Sequence, residues 1–219
     1  MEYNILGKSN SAVSIILENL FSIHHFNYSV DIVKNMEDTS DLPYIINGIK
    51  VDEYDHTKFT FDSSAHYYII GAIRVPAKRS IYKFFNETYG LVENNYKNII
   101  PQHTAISQTC QFGNGCLLNY GCVMAPYSRL GNFVTLNRNS SVGHHTFIDD
   151  FSTINPGVNI AGGCNIGKGV TIGMGSNIIE NITIGDNAVI GAGSLVLKDV
   201  LPNTTVYGSP AKVVNKSSV

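Results

Sequence analysis

Two adjacent histidines, His144 and His145, stand in the segment SVGHHTFIDD, residues 141–150, within a stretch otherwise rich in Gly, Asn, Ser, Ile and Val. A histidine can take a proton near neutral pH, so this pair could hold a general base for an attacking amine or hydroxyl group. The glycine pair Gly162–Gly163 lies farther along the chain. A backbone N–H at Gly162 could stabilise a developing oxyanion. The segment therefore indicates chemistry of the acyl-transfer kind.

Two other interpretations of the histidine pair stay open. The first is two solvated histidines without a role. The second is a zinc site that also uses His103. Adjacent residues of a strand usually point to opposite sides, which is poor geometry for sharing one metal ion. The sequence therefore predicts no metal site.

A large apolar residue returns at every sixth position from Ile100 to Val196. A second column, two positions earlier, holds mostly small residues and includes four cysteines: Cys110, Cys116, Cys122 and Cys164. This period predicts a β-helix of hexapeptide repeats with both columns pointing inward. The cysteines are then core fillers and free thiols. A Gly or Asn often follows the large apolar residue, and we expect it to supply the positive φ of a tight corner.

Stacking in a triangular β-helix decides where the candidate residues lie. Three hexapeptides make one coil, so residues eighteen apart stack, with coils about 4.8 Å apart. His144 then lies between Pro126 and Gly162, and both histidines lie at a corner outside the core. Asn137 stacks between Asn119 and Asn155.

The first hundred residues show no six-residue period. Apolar patterns predict strands at 3–6, 30–33 and 66–71, and helices at 12–21 and 78–89. The alternation of strand and helix predicts a small parallel sheet flanked by helices. We therefore expect a boundary near Asn98, with domains at 1–98 and 99–219.

Composition excludes several classes of function. The formal charge is −2 over 219 residues, and no run of Lys or Arg indicates binding to nucleic acid or an anionic membrane. No apolar run approaches the roughly 20 residues that span a bilayer. The N-terminus does not look like a signal peptide. A cytoplasmic location is therefore expected.

The whole chain resembles the sialic-acid O-acetyltransferase-like family of nucleotide-sugar acyltransferases. Its layout is closest to bacterial N-acetyltransferases that act on UDP-4-amino-4,6-dideoxy sugars, as in bacillosamine or perosamine pathways. Three segments carry the resemblance: NRNSSVGHHTFIDDF (137–151), AGG (161–163) and YGSPAKVV (207–214). It implies a small Rossmann-like N-terminal domain, a left-handed parallel β-helix of hexapeptide repeats, and a homotrimer.

The resemblance also implies roles for individual residues of the β-helix. His144 matches the family's general base, and Asn137 would help to place the sugar or the base. His145 replaces a common acidic residue that hydrogen-bonds the base, and Thr153 replaces a second histidine that contacts the acyl donor. Residues implied to contact acetyl-CoA are Gly162 at the thioester carbonyl, Met174 and Ala192 along the pantetheine, and Gly208, Pro210 and Lys212 near the adenine.

In the N-terminal domain the resemblance implies a nucleotide-sugar pocket. The loop GKSNSA, residues 7–12, lacks the family's second glycine and its histidine. Ser9, Asn10 and Ser11 could still donate to phosphate at a helix N-terminus. Lys34 and Asn35 replace the family's acidic pair, whereas Gly71 matches a family glycine.

The expected function is acetyl-CoA-dependent N-acetylation of a nucleotide-linked amino sugar, of the 4-amino-4,6-dideoxy class, for bacterial surface glycan biosynthesis. O-acetylation, or the use of a longer acyl-CoA, is the alternative within enzymes. A non-catalytic scaffold or sugar-binding module, and a zinc-dependent hydratase of the carbonic anhydrase kind, are alternatives from other classes.

Overall fold

A computed structural model describes residues 1–36, 48–62, 64 and 67–214. The chain divides into two compact units, residues 1–102 and residues 103–219. The first unit contains strands and α-helices, and the second is built almost entirely of two-residue strands. The division falls four residues after the boundary expected at Asn98.

The first unit holds a four-stranded parallel sheet with the order β3-β2-β1-β4. Its strands are β1 (Glu2–Leu6), β2 (Ser29–Lys34), β3 (Val51–Asp55) and β4 (Tyr68–Ile70). Helix α1 (Asn10–His24) follows β1, and α2 (Val75–Tyr89) follows β4. Single 3-10 turns lie at His56–Lys58 and Glu93–Asn95. The predicted sheet and helices are confirmed, but β3 was not predicted, because its sequence VDEYD is mostly charged. His66, in the third predicted strand, lies outside the described residues.

The second unit winds as a left-handed parallel β-helix with three faces. Face 1 contains β7 (Leu117–Leu118), β10 (Thr135–Leu136), β13 (Thr153–Ile154), β16 (Thr171–Ile172), β19 (Val189–Ile190), β21 (Thr205–Tyr207) and the antiparallel β22 (Lys212–Val213). Face 2 contains β5 (Ala105–Ile106), β8 (Val123–Met124), β11 (Ser141–Val142), β14 (Asn159–Ile160), β17 (Asn177–Ile178) and β20 (Leu195–Val196). Face 3 contains β6 (Gln111–Phe112), β9 (Arg129–Leu130), β12 (Phe147–Ile148), β15 (Asn165–Ile166) and β18 (Thr183–Ile184).

We name the corners by the face that precedes them along the chain. Corner 1 joins face 1 to face 2, corner 2 joins face 2 to face 3, and corner 3 joins face 3 to face 1. The strand registers pair residues eighteen apart, as predicted. Residues 137–140, 143–146 and 149–152 form corners 1, 2 and 3 of one coil.

The two predicted inward columns are confirmed. From Leu118 to Val196, every member of the large apolar column is at most 3% exposed. The small column is buried from Cys116 to Ser194. All four cysteines are free thiols, and burial raises the pKa of the Cys122 and Cys164 thiols, so these two stay neutral. Fully burying one aliphatic side chain stabilises the fold by about 1.5–3 kcal/mol, so the repeated column is the main source of stability.

The predicted position of the positive φ angles is wrong. From Phe112 to Ile190 they occur at the third residue after each large apolar residue, for example at Gly121, Asn139 and His145, and not at the first. The glycines at the first position serve a different need. A Cβ at Gly143 would overlap the backbone of Ala161 and Gly162 on the next coil. Glycine is therefore required there by the close approach of two coils.

Corner 3 carries a ladder of side-chain caps. Asn132 Oδ1 accepts the Asn114 backbone N–H at 2.8 Å, and Asp150 Oδ1 accepts the Asn132 N–H at 2.7 Å. Higher in the column, Asp186 Oδ1 accepts the Lys168 N–H at 2.8 Å. These caps satisfy the N–H of the second corner residue, the same position that His144 and Gly162 hold at corner 2.

Within the ranges that the structure describes, no helix has both the length and the apolar character needed to cross a bilayer.

Candidate active site

The two histidines lie at corner 2, in the turn between β11 and β12. Both side chains are exposed, which confirms that they lie outside the core. Backbone hydrogen bonds fix the turn: the His145 N–H donates to Pro126 O at 3.1 Å, and the Gly163 N–H donates to His144 O at 2.8 Å. The corner is therefore held by its neighbouring coils, independently of the two rings.

A hydrogen bond joins the two imidazoles. Their Nδ1 atoms are 3.1 Å apart, and the ring planes meet at 82°. One Nδ1 must donate and the other accept, so the pair shares one proton at this contact. If the His144 Nε2 is to accept a proton from a substrate, the His144 Nδ1 carries the shared proton and the His145 Nδ1 accepts it. His145 thereby selects the tautomer of His144.

The His144 ring lies against Gly162 on the next coil. A Cβ at position 162 would be 2.5 Å from His144 Cε1 and 2.6 Å from Nε2. Only a residue without a side chain leaves room for the ring in this position. Nδ1 would be 2.9 Å away from that Cβ, so the imidazole lies over Gly162 with Cε1 and Nε2 nearest.

The backbone N–H of Gly162 has no hydrogen-bond partner in the described part of the chain. At corner 3 the equivalent N–H groups of Asn132 and Lys168 are capped by carboxylates. Corner 2 offers no such cap here, because the next residue in the column, Glu180, makes no hydrogen bond to Gly162. A proton acceptor and an open hydrogen-bond donor thus lie side by side, which is the combination that acyl transfer uses.

Asn137 and Thr153 lie away from the histidine pair at corner 2 of the same chain. Asn137 is buried at corner 1, where its Oδ1 accepts a hydrogen bond from Asn119 Nδ2 at 2.9 Å. Thr153 is buried on β13 of face 1. Within the described residues, neither makes a hydrogen bond to the ring of His144 or His145. A single chain does not bring these predicted site residues together.

Three of the residues matched to coenzyme A share one corner. Met174 and Ala192 are eighteen residues apart at corner 1, and the register of β19 with β21 places Gly208 in the next coil of that column. Gly208 O accepts the Leu195 N–H at 2.9 Å, and the Ala211 N–H donates to Leu195 O at 2.8 Å. The segment containing Pro210 and Lys212 then returns as β22 along β21. Met174 is 61% exposed, so this corner presents a free apolar side chain.

Face 2 connects the corner of Met174 with the corner of His144, and it carries a groove of about 580 Å³. A ladder of polar side chains runs along it: Ser141 Oγ donates to Asn159 Oδ1 at 2.9 Å, and Asn159 Nδ2 donates to Asn177 Oδ1 at 3.1 Å. Ile179 and Glu180 form the rim near corner 2. An extended ligand with amide groups would find both hydrogen-bonding and apolar surface on this face.

The predicted nucleotide-binding residues gather at the carboxyl ends of the first unit's strands. Ser9, Lys34 and Asn35 line a pocket of about 190 Å³ together with Lys8. Asn10 and Ser11 form the first turn of α1, and no side chain caps that helix start. Ligands of open parallel sheets bind at this edge.

Two contacts shape that pocket. Gly71 accepts the Ser9 N–H at 3.0 Å, and a Cβ at position 71 would overlap Gly7 O, so glycine is required there. The Lys8 and Lys34 ammonium groups lie 3.1 and 3.7 Å from the Glu53 carboxylate. Sequence analysis missed Glu53, because the strand that carries it, β3, was not predicted.

The described residues contain no cluster of side chains that matches the zinc interpretation. Within the described residues, no three His, Cys, Asp or Glu side chains converge as ligands. His103 precedes His145 by seven hexapeptides, lies at corner 1 and contacts the ring of Tyr120.

Comparison with known proteins supports the architecture. Residues 163–198 match the family model for the bacterial transferase hexapeptide (six repeats). No curated protein sequence matches the chain. The acetyltransferase domain of PglB from Neisseria gonorrhoeae FA1090, solved with acetyl coenzyme A, is 20% identical, with a TM-score of 0.82 over 97% of this chain and 98% of that one.

Two further solved structures have the same fold. PerB from Caulobacter crescentus, in complex with CoA and GDP-perosamine, is 19% identical, with a TM-score of 0.78 over 98% of this chain and 97% of that one. WeeI from Acinetobacter baumannii AYE is 20% identical, with a TM-score of 0.70 over 98% of this chain and 100% of that one. The chain is thus a hexapeptide-repeat protein that has, over nearly its whole length, the fold of these structures.

Proposed function

We propose that the chain is an acyltransferase that moves an acetyl group from acetyl-CoA to the amine of a nucleotide-linked amino sugar. The observation that carries the proposal is the position of the His144 imidazole, which lies over Gly162 with an open backbone N–H beside it. The fold shared with PglB, solved with acetyl coenzyme A, and with PerB, solved with CoA and GDP-perosamine, supports the same substrates. The expected acceptor is a 4-amino-4,6-dideoxy sugar destined for a bacterial surface glycan.

The chemistry assigned to the chain is proton transfer and charge stabilisation. A coenzyme A thioester supplies the activated acyl group. His144 Nε2 takes the proton that the amine loses as its nitrogen bonds to the acyl carbon, and His144 then gives that proton to the departing sulfur. His145 holds the Nδ1 proton of His144 throughout, and the Gly162 N–H donates to the oxygen on which negative charge develops. No metal takes part in these steps.

Binding of the two substrates is assigned to separate surfaces. Met174, Ala192, Gly208, Pro210 and Lys212 would contact coenzyme A, because they share corner 1 or the segment that follows it. Thr153 would contact the acyl end. The nucleotide would occupy the N-terminal domain, residues 1–98, at the pocket that Ser9, Lys34 and Asn35 line. Asn10, Ser11 and Gly71, next to these residues in the chain or the sheet, are assigned to the same nucleotide.

We further propose that the active form is a homotrimer. In one chain, the corner assigned to coenzyme A and the corner that carries His144 lie at opposite edges of face 2, and Asn137 lies at the former. A neighbouring copy that presents corner 1 against corner 2 would unite them. We expect sedimentation equilibrium to give three times the chain mass of 23.9 kDa. A monomer at assay concentration would contradict this arrangement.

The activity is tested by measuring release of the coenzyme A thiol from acetyl-CoA. The acceptor panel contains UDP-, GDP- and dTDP-linked 3- and 4-amino sugars. Turnover with one amino sugar would establish the reaction and name the acceptor. Binding of acetyl-CoA without turnover would favour a hydroxyl acceptor or a longer acyl donor, and no binding at all would favour a scaffold or sugar-binding module.

A further inference from the structure

A second pocket of about 300 Å³ adjoins the histidine pair at corner 2 and face 3. Its lining residues are Thr109, Gln111, Tyr127, Arg129 and His145. They come from three successive coils, with Thr109, Tyr127 and His145 stacked at intervals of eighteen residues. None of them except His145 is part of the proposed proton transfer.

Arg129 gives this pocket its charge. Its guanidinium lies 5.5 Å from the centre of the Phe147 ring, and it has no carboxylate partner among the residues that the structure describes. Stacking on an aromatic ring uses the flat face of the guanidinium and leaves its N–H donors free. The acidic residues of this coil, Asp149 and Asp150, lie at corner 3, at the far end of face 3, where Asp150 pairs with Lys168.

The neutral groups of the pocket are also able to bind an anion. Thr109 Oγ1 accepts the Tyr127 N–H at 2.9 Å and lies 3.1 Å from Ser107 Oγ, so only its hydroxyl proton is available to an anion. Gln111 carries an exposed amide on β6. The Tyr127 ring lies 5.0 Å from the His145 ring, at 31°, and forms the wall behind it. These side chains surround the guanidinium with hydrogen-bonding groups and one aromatic surface.

His145 links the pocket to the proposed base. Its Nδ1 faces the Nδ1 of His144, and its Nε2 has no partner in the described part of the chain. When the His145 Nδ1 accepts the proton of His144, its own ring proton is on Nε2, which is then a donor. An anion in the pocket would accept from that donor.

We propose that this pocket is a subsite for a phosphate-type oxyanion, held by Arg129 and His145. The bound anion would place negative charge beside His145, where the chain has an imidazole in place of an acid, and so favour proton uptake by the His144–His145 pair. The charged or titratable groups around His145 are His144, Tyr127 and Arg129. The effect on the base rests on the proposed function, whereas anion binding itself does not.

The oxyanion has two sources: the diphosphate of a nucleotide-linked acceptor, or free inorganic phosphate or pyrophosphate acting as an effector. Both offer the same oxygen atoms to Arg129. The test therefore compares inorganic pyrophosphate with UDP and GDP. Tighter binding of the nucleotides would assign the subsite to the acceptor, and equal or tighter binding of pyrophosphate would assign it to a free anion.

The experiment titrates each of these compounds into the full-length protein labelled with ¹⁵N-histidine. The ring signals of His145 report local binding, and their dependence on ligand concentration gives the affinity of this pocket alone, separate from nucleotide bound at the pocket of Ser9 and Lys34. We expect the His145 signals to shift with saturation. Arg129→Gln should weaken this binding about 10- to 100-fold, the usual effect of losing a charge-assisted hydrogen bond. Arg129→Lys keeps the charge but loses the planar guanidinium, so its affinity for the anion should lie between those of the wild-type protein and Arg129→Gln.

Lys198→Gln is the matched control, since Lys198 is an exposed cation on the same corner, three coils away from His144. It should leave the His145 shifts unchanged. Unshifted His145 signals in the wild-type protein, or unchanged affinity in Arg129→Gln, would overturn the subsite. Because neither measurement needs acetyl-CoA or turnover, an inactive acceptor panel with normal anion binding would count against the proposed function alone.

Discussion

We expect the substitution His144→Ala to lower kcat/KM for the acetylated amino sugar by about 10²- to 10⁴-fold, the usual effect of losing a general base. The variant removes the imidazole that lies over Gly162. The fold should persist, because the ring is exposed and the turn is held by backbone hydrogen bonds to Gly163 and from His145. Release of the coenzyme A thiol and thermal unfolding are measured on the same preparation.

His103→Ala is the control for this variant. His103 is an exposed histidine of the same unit, but it lies beside Tyr120, away from corner 2. We expect near-normal turnover from it. Normal turnover by His144→Ala would refute the assignment of the base, and loss of its cooperative unfolding would show that the residue has a structural role.

The β-helix could be predicted from sequence because its period is local. One inward residue in every six is enough to fix the coil, since Val142, Ile148 and Ile154 must each point to the axis and each then stacks on the residue eighteen positions later. The same rule placed His144 against Gly162. Parallel strands of two residues need no long-range information beyond this repeat.

The predictions that were wrong or missing concern backbone geometry and strand pairing, which the six-residue period does not specify. Glycine occurs at Gly143 because two coils approach closely, and His145 itself adopts φ = 55°. A histidine in the left-handed region is uncommon, so residue type alone gives no signal for it. Similarly, the charged strand β3 is held by parallel pairing with β2, which its own sequence does not show.

The pocket beside His145 could have been predicted and was missed. Tyr127 precedes His145 by eighteen residues, and Arg129 precedes Phe147 by the same interval, so stacking alone predicts both contacts. The inward columns predict the core, whereas these contacts require comparing outward-facing residues that are eighteen positions apart. By contrast, the sequence of one chain could not show how Asn137 at corner 1 and His144 at corner 2 share a site. In the proposed trimer, the corner 1 that faces His144 belongs to another copy.

A second large effect is expected from Gly162→Ala, which adds one methyl group beside the base. The new Cβ would be 2.6 Å from His144 Nε2, so the imidazole must turn away from its present position. Displacing a general base from the reacting atoms should lower kcat/KM on the order of 10²-fold. Stability should change little, because the group that must move is the tip of an exposed side chain.

Gly143→Ala is the matched substitution, since it adds the same methyl group one coil below. There the Cβ would meet the backbone of Ala161 and Gly162, which cannot move without separating the coils. We expect a loss of roughly 1–3 kcal/mol in the free energy of unfolding, as for other overpacked sites. Gly162→Ala should therefore lower activity with little change in stability, whereas Gly143→Ala should lower stability and also displace the Gly162 N–H.

The double variant His144→Ala/Gly162→Ala decides how position 162 acts. Alanine keeps the backbone N–H of residue 162, so the substitution should act only through the displaced ring. With the imidazole already removed, the added methyl group enters free space, and the second substitution should lower kcat/KM no further. A further drop in the double variant would mean that the methyl group blocks the acyl donor directly, and Gly162 would then be required by the substrate rather than by His144.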